Sequence, residues 1–144
     1  MQYTNFLRDI HEDRTKYGRI YIPEKELNTY GLKQSDLLIY CKNNKYTGEQ
    51  WKLFMKKQIQ TTRQLYIQAN TTIPYLDKDA QMPVLMASHM YEAILDGIES
   101  KKYNIFNGSN KTSLRKKTKV FIHTLRKNIP VRHRAIWITI SSLF

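Results

Sequence analysis

The chain has 144 residues, enough for one ordinary domain or part of a larger one. Hydrophobic residues make up 41% and aromatics 12%, so a core is expected and disorder is not the default. Net charge is +12 but unevenly placed: residues 1–100 carry 13 Lys+Arg against 12 Asp+Glu, whereas residues 101–144 carry 11 Lys+Arg and no acid. A basic tail on a balanced body suits nucleic acid or an anionic membrane surface, with a plain solvated helix as the competing reading. One cysteine, Cys41, excludes an internal disulfide framework. No signal pattern opens the chain, and no apolar run approaches the roughly 18 residues of a spanning helix, so a cytoplasmic protein is expected.

The first predicted element is a helix from Gln2 to about Arg14. Gln2, Asn5, Asp9 and Asp13 are spaced by three, four and four residues. At about 100° per residue they share an arc of roughly 80°. Glu12 lies at the rim of this face, and Phe6, Leu7 and Ile10 supply apolar flanks. Carboxylates one turn apart, with amides beside them, form an oxygen-rich wall suited to Mg2+ or Mn2+ and to a diphosphate bridged by metal. Arg8 could meet a phosphate or pair with Glu12. The bland alternative is a solvated acidic helix in which Arg8, Asp9, Glu12, Asp13 and Arg14 pair among themselves.

Gly18 marks a break, and Arg19 to Ile22 reads as extended. Pro23 to Tyr30 is a short predicted helix stopped by Gly31. Ser35 is the expected N-cap of another, reaching about Tyr40, and residues 41–48 read as loop. Glu49 to Leu76 is the longest periodic segment, broken at Pro74. Its aromatic positions are core, whereas Lys56, Lys57 and Arg63 are placed on a solvent face. Residues 77–81 read as a link, with Pro83 starting a helix to about Lys102. There Met86, Met90, Ile94 and Ile98 form one row and Tyr91 and Leu95 the next, as a core or a cavity wall. Lys111 to Lys127 is a candidate basic helix, and residues 135–144 are apolar and β-branched, open to packing on the body or to an interface. The fold class is all-α.

The run Asn5-Phe-Leu-Arg-Asp-Ile-His-Glu-Asp13, followed by Gly18-Arg-Ile-Tyr-Ile-Pro23, closely resembles the second aspartate-rich signature of the squalene/phytoene synthase family. Glu26 to Gly31, Ser35-Asp-Leu, Met90 to Ile98 and Tyr103 to Phe106 are similar to later segments of that family, in order. The resemblance covers residues 2–106 and lies nearest the bacterial carotenoid branch. Residues 1–106 are thus expected to form the C-terminal half of such a domain, a partial isoprenoid-synthase helical bundle, with 107–144 as a basic extension.

The resemblance implies head-to-head joining of two prenyl diphosphates, farnesyl or geranylgeranyl, through a cyclopropylcarbinyl diphosphate, with Mg2+ assisting diphosphate release. It implies that Asp9 and Asp13 bind metal, with Glu12 a third candidate ligand. Gln2, Asn5 and Arg8 would line the diphosphate site, and Tyr91 would stand near the diphosphates among the catalytic groups. His11 falls at a variable position and is assigned nothing. The family's first aspartate-rich motif has no counterpart here: Asp77 with Asp79, and Asp96 with Glu99, sit in links or late helices. Full-length members are about twice as long, and Gly108-Ser109 replaces an arginine-containing run. The expectation is a C-terminal piece of a synthase, inactive alone. Peripheral membrane contact is compatible with the basic end. A non-catalytic basic helical protein binding nucleic acid or a partner protein is the alternative, weakened by the absence of any recognisable nucleic-acid module.

Overall fold

Why these residues form a bundle is clearest at the two longest helices. The computed structural model describes residues 1–107 together with Ile122 and Thr124. In chain order it contains α1 (Gln2–Arg8), α2 (Ile10–Tyr17), α3 (Glu24–Asn28), α4 (Gln34–Asn43), α5 (Glu49–Asn70), a single 3-10 turn (Ile73–Tyr75) and α6 (Lys78–Ser100). No strand occurs among the described residues. α5 buries Trp51, Phe54, Met55, Ile59, Thr62 and Tyr66, a row recurring every three or four residues. α6 answers with Ala93, Ile94, Leu95 and Ile98.

The two run antiparallel, as their cross-links show. Ser88 Oγ donates to Asn70 Oδ1 at 2.7 Å near the turn, and Arg63 meets Asp96 (2.8 Å) and Glu99 (2.6 Å) farther along. Arg63 also lies 3.7 Å from Glu92. It therefore does not point into solvent as expected: it faces α6, where three acidic residues at i, i+4 and i+7 share one side. α1 packs on both long helices, and α2 packs on α4.

Aromatic side chains close the far end. Trp51 is fully buried, with Phe106 at 4.9 Å, Phe54 at 5.6 Å and Tyr40 at 6.0 Å between ring centroids. Its indole Nε1 donates to the Tyr103 carbonyl at 2.9 Å, and Tyr46 OH donates to the Lys102 carbonyl at 2.9 Å. These bonds hold a costly turn. Lys102 and Tyr103 have φ of 53° and 62°, the left-handed region that costs non-glycine residues on the order of 1–2 kcal/mol each. Aromatic packing and the two hydrogen bonds offset that cost.

Several boundaries differ from the sequence reading. The first helix is broken at Asp9 and continues to Tyr17, where Gly18 (φ 68°) takes the left-handed cap. Lys33, not Ser35, precedes α4, because Asp36 Oδ2 accepts the Lys33 N–H at 2.7 Å; α4 then runs on to Asn43. α5 stops at Asn70 rather than Leu76, three residues before the 3-10 turn that contains Pro74. α6 begins at Lys78, so the expected link is its first turn and Pro83 lies inside it. The earlier start is fixed by the Asp77 carbonyl, which accepts from Ala80 and Gln81, and by Gln81 Nε2, which donates to the Leu76 carbonyl at 2.9 Å.

The expected basic helix 111–127 and the apolar end 135–144 lie outside the described residues, apart from helical Ile122 and Thr124. Thr124 is buried, and its Oγ1 is 2.8 Å from His89 Nδ1 on α6. Thr124 thus lies against α6.

Trp51→Phe keeps most of the ring packing but leaves the Tyr103 carbonyl without its donor. The variant is expected to lose about 1–3 kcal/mol of stability. Urea unfolding followed by circular dichroism checks this, and an unchanged midpoint would contradict it.

Candidate functional site

The face expected at the start of the chain survives the break in its helix, for a backbone reason. The Asp9 N–H donates to the Asn5 carbonyl at 2.9 Å, and the Asp13 N–H donates to the Asp9 carbonyl at 2.7 Å. This i→i−4 ladder keeps Asn5, Asp9 and Asp13 one turn apart even though Asp9 adopts φ −99°, ψ 8°. On the opposite side Leu7 and Ile10 enter the core. The fully buried Thr4 hydroxyl lies 2.8 Å from Tyr66 OH on α5, and Tyr3 OH donates to Gln58 Oε1 at 2.5 Å. Gln58 Nε2 passes the link to Glu26 Oε2 at 3.0 Å. These contacts fix how α1 is rotated about its axis. Burial, and after it the Glu26 charge, pushes the Tyr3 phenol up to about 12, so it stays a donor at neutral pH.

Arg8 grips Asp9 with two bonds, Nε to Oδ1 at 2.7 Å and Nη2 to Oδ2 at 2.5 Å. Hydrogen bonding to Asp9 comes first among the causes that raise the Arg8 pKa; Tyr91 and Glu12 also act on its charge. The structure therefore brings Tyr91 of α6 into the electrostatic surroundings of Arg8 on α1. Glu12 pairs with Lys16 at 2.6 Å. The Asp13 carboxyl is raised by burial, then by Asp9 and Glu12, with Arg19 and Arg8 opposing. Gln2 is exposed at the start of α1. Asn5 Oδ1 is buried without a hydrogen-bond partner among the described residues, as is His11 Nδ1. A buried amide oxygen beside a carboxylate pair is an acceptor set aimed at something that supplies positive charge.

A cavity of about 430 Å³ lies at the other end of α1, against the end of α5 and the start of α6. Its walls include Tyr3, Thr62, Leu65, Tyr66, Ile73 and Val84. From the cavity rim at Tyr3, Asp9 is six residues along the chain and Asp13 ten, roughly 9 and 15 Å at helical rise. Its walls are mostly apolar and include none of Asn5, Asp9 and Asp13, so the chamber suits an apolar molecule, with the acidic face set apart from it along the helix. The sequence reading missed Thr62 and Tyr66 as cavity walls. The signal was present: polar groups one turn apart in the otherwise apolar row of α5.

The donor set of Asn5, Asp9, Glu12 and Asp13 is all oxygen, which suits a hard divalent cation. It is not a closed cage. Among the described residues, no three His, Cys, Asp or Glu side chains converge tightly enough to hold an ion by themselves.

The squalene/phytoene synthase family model matches residues 1–119, beyond the 2–106 expected. The chain is 42% identical over 105 residues to phytoene synthase 2, chloroplastic, of Zea mays, covering 73% of this chain and 25% of that protein. It is 39% identical over 106 residues to 15-cis-phytoene synthase of Synechocystis sp. (74% of this chain, 30% of that protein), and 40% identical over 106 residues to phytoene synthase of Arthrospira platensis (74% and 32%). The matched stretch thus spans only about a quarter to a third of these relatives' length. No solved structure gives a significant match.

The raised Asp13 carboxyl makes a pH prediction. A carboxyl whose folded pKa lies above its unfolded value favours folding when protonated. That contribution is present below the unfolded value of about 3.9 and is lost as pH rises through the folded value. Ionised Asp13 therefore opposes folding at neutral pH. Asp13→Asn is expected to unfold at a modestly higher urea concentration than the wild type at pH 7, and at the same concentration near pH 3. A variant less stable at pH 7 would contradict this. The family model spans the acidic face, its flanking turns and helices α1 to α6, and the chain belongs to the squalene/phytoene synthase family.

Proposed function

We propose that this chain is the part of a head-to-head prenyltransferase that carries the second metal-binding wall. It would join two prenyl diphosphates once the remaining synthase helices are in place. The observation that carries the reading is the Asn5–Asp9–Asp13 ladder, with an Asn5 amide oxygen that has no partner among the described residues, inside a family match covering most of the chain. The chain's short coverage of its relatives supports placing the opposing wall elsewhere in a whole synthase. Exposed Leu65 and Val84 at the cavity edge fit a surface that other helices would cover.

In this reading Asp9 and Asp13, with Glu12 at the rim, would hold Mg2+, or Mn2+ in its place. When bound, the metal supplies the charge that stabilises a departing diphosphate. Asn5 would orient the same head group or its waters, and Gln2 would approach it from the start of α1. Arg8 would take a phosphate oxygen, a role its forked guanidinium suits. Tyr91, close enough to act on Arg8, would stand beside the diphosphate. The chamber lined by Thr62, Leu65, Tyr66, Ile73 and Val84 would take prenyl chain and keep water from a cationic carbon.

The similarity to several phytoene synthases favours geranylgeranyl over farnesyl diphosphate, since phytoene comprises two geranylgeranyl halves. No helix among the described residues is long and apolar enough to cross a membrane. A cytoplasmic-side enzyme touching the membrane peripherally through its basic end is compatible with that fact and would suit an amphipathic prenyl diphosphate.

The test is a chimera in which the preceding portion of the Synechocystis relative is joined to this chain. Supplied with geranylgeranyl diphosphate and Mg2+, it is expected to form phytoene. Asp9→Asn and Asp13→Asn should each lower turnover at least 100-fold, the size of loss typical when a charge-stabilising group is removed. The 144-residue chain alone should form none. Product from the unfused chain, or an undiminished Asp9→Asn chimera, would contradict the reading.

A further inference from the structure

Adjacent residues on an α-helix point about 100° apart and do not face each other. Arg8 and Asp9 nevertheless make a two-bond pair, at the residue where α1 gives way to α2. Both oxygens of Asp9 are taken up by that one guanidinium. A divalent cation on Asp9 needs at least one of the same oxygens, and the like charge of Arg8 opposes it. The pair is half-buried, with side chains 27% and 26% exposed, so solvent screens it only in part.

Within the reading above, on which this inference rests, we propose that Arg8 is a built-in counter-ion that competes with the metal for Asp9. Asp9 holds Arg8 until a divalent cation takes its carboxylate. The released guanidinium then serves a phosphate oxygen next to Tyr91. Metal and diphosphate would each remove one member of the pair, so each would make the other's binding easier. By linkage the coupling is reciprocal. The site would thereby resist metal alone and accept metal together with a diphosphate.

Two features set this apart from plain charge repulsion. The effect runs through Asp9 specifically, and it depends on the guanidinium fork as well as its charge. Arg19 supplies the control: it acts on the Asp13 carboxyl by charge.

Mn2+ binding to the 144-residue chain, measured by electron paramagnetic resonance of free Mn2+, tests the proposal; circular dichroism confirms that each variant keeps its helix content. Arg8→Met is expected to tighten Mn2+ binding about three- to tenfold, the scale of a partly screened charge-assisted pair. Arg8→Lys keeps the charge but loses the fork, and should still tighten binding about twofold. Arg19→Met should gain less than Arg8→Met. The gain from Arg8→Met should vanish in an Asp9→Asn background. Unchanged affinity in both Arg8 variants, or a gain that persists with Asp9→Asn, would overturn the competition while leaving the metal-binding face intact. Failure of every chain to bind Mn2+ at millimolar concentration would remove the metal-binding face itself, and this inference with it.

Discussion

The constraint on which the structure turns is the crowding of Asp9, Glu12 and Asp13 within five residues of one helical face. Burial first, and then the like charges of Asp9 and Glu12, push the Asp13 carboxyl above its ordinary value. Local cations relieve the crowding only in part. Arg8 takes Asp9, Lys16 takes Glu12, and Arg19 acts on Asp13 through its charge. A chain selected for stability alone would spread these carboxylates apart. Keeping them together makes sense where a cation completes the set, the usual relation between a strained polar site and its ligand.

Everything around this face holds it still. Leu7 and Ile10 anchor one side, Thr4 and Tyr3 reach α5, and the Asn5–Asp9–Asp13 ladder carries the alignment through the helix break. The long helices α5 and α6 supply the frame. Arg63 ties them together at mid-length, and the Trp51–Phe106 cluster closes their far end. Arg63 and the face do opposite things with acidic residues. Glu92, Asp96 and Glu99 are drawn onto one arginine across a helix pair, whereas Asp9 and Glu12 pair with Arg8 and Lys16, close to them in sequence.

Much of this was legible in the sequence, for identifiable reasons. The 3.6-residue recurrence of Trp51, Met55, Ile59, Thr62 and Tyr66 exposes α5, because burial of one face is what that period records. Spacing alone also gives the alignment of Asn5, Asp9 and Asp13. The break at Asp9 was hidden, since it lies inside an unbroken helical spacing and shows only in the backbone angles of Asp9, φ −99° and ψ 8°. The inward turn of Arg63 was hidden too: only the docking of α6 brings Glu92, Asp96 and Glu99 to it. Pro83 misled because proline favours a first turn, while the start of α6 is set by Gln81 bonding to the residues before it. The likeness to a family named the chemistry, which an acidic face without it does not.

The central claim is that the α1–α2 face, and not the acidic row on α6, receives the metal–diphosphate head. Mn2+-induced broadening of nuclear magnetic resonance signals, recorded on the 144-residue chain with inorganic diphosphate, separates the two most directly. The account predicts broadening centred on the Asn5 side-chain amide and on the backbone amides of Arg8 to Asp13, extending to Tyr91. Broadening centred on Asp96 and Glu99, with Asn5 and Asp9 unaffected, would contradict it.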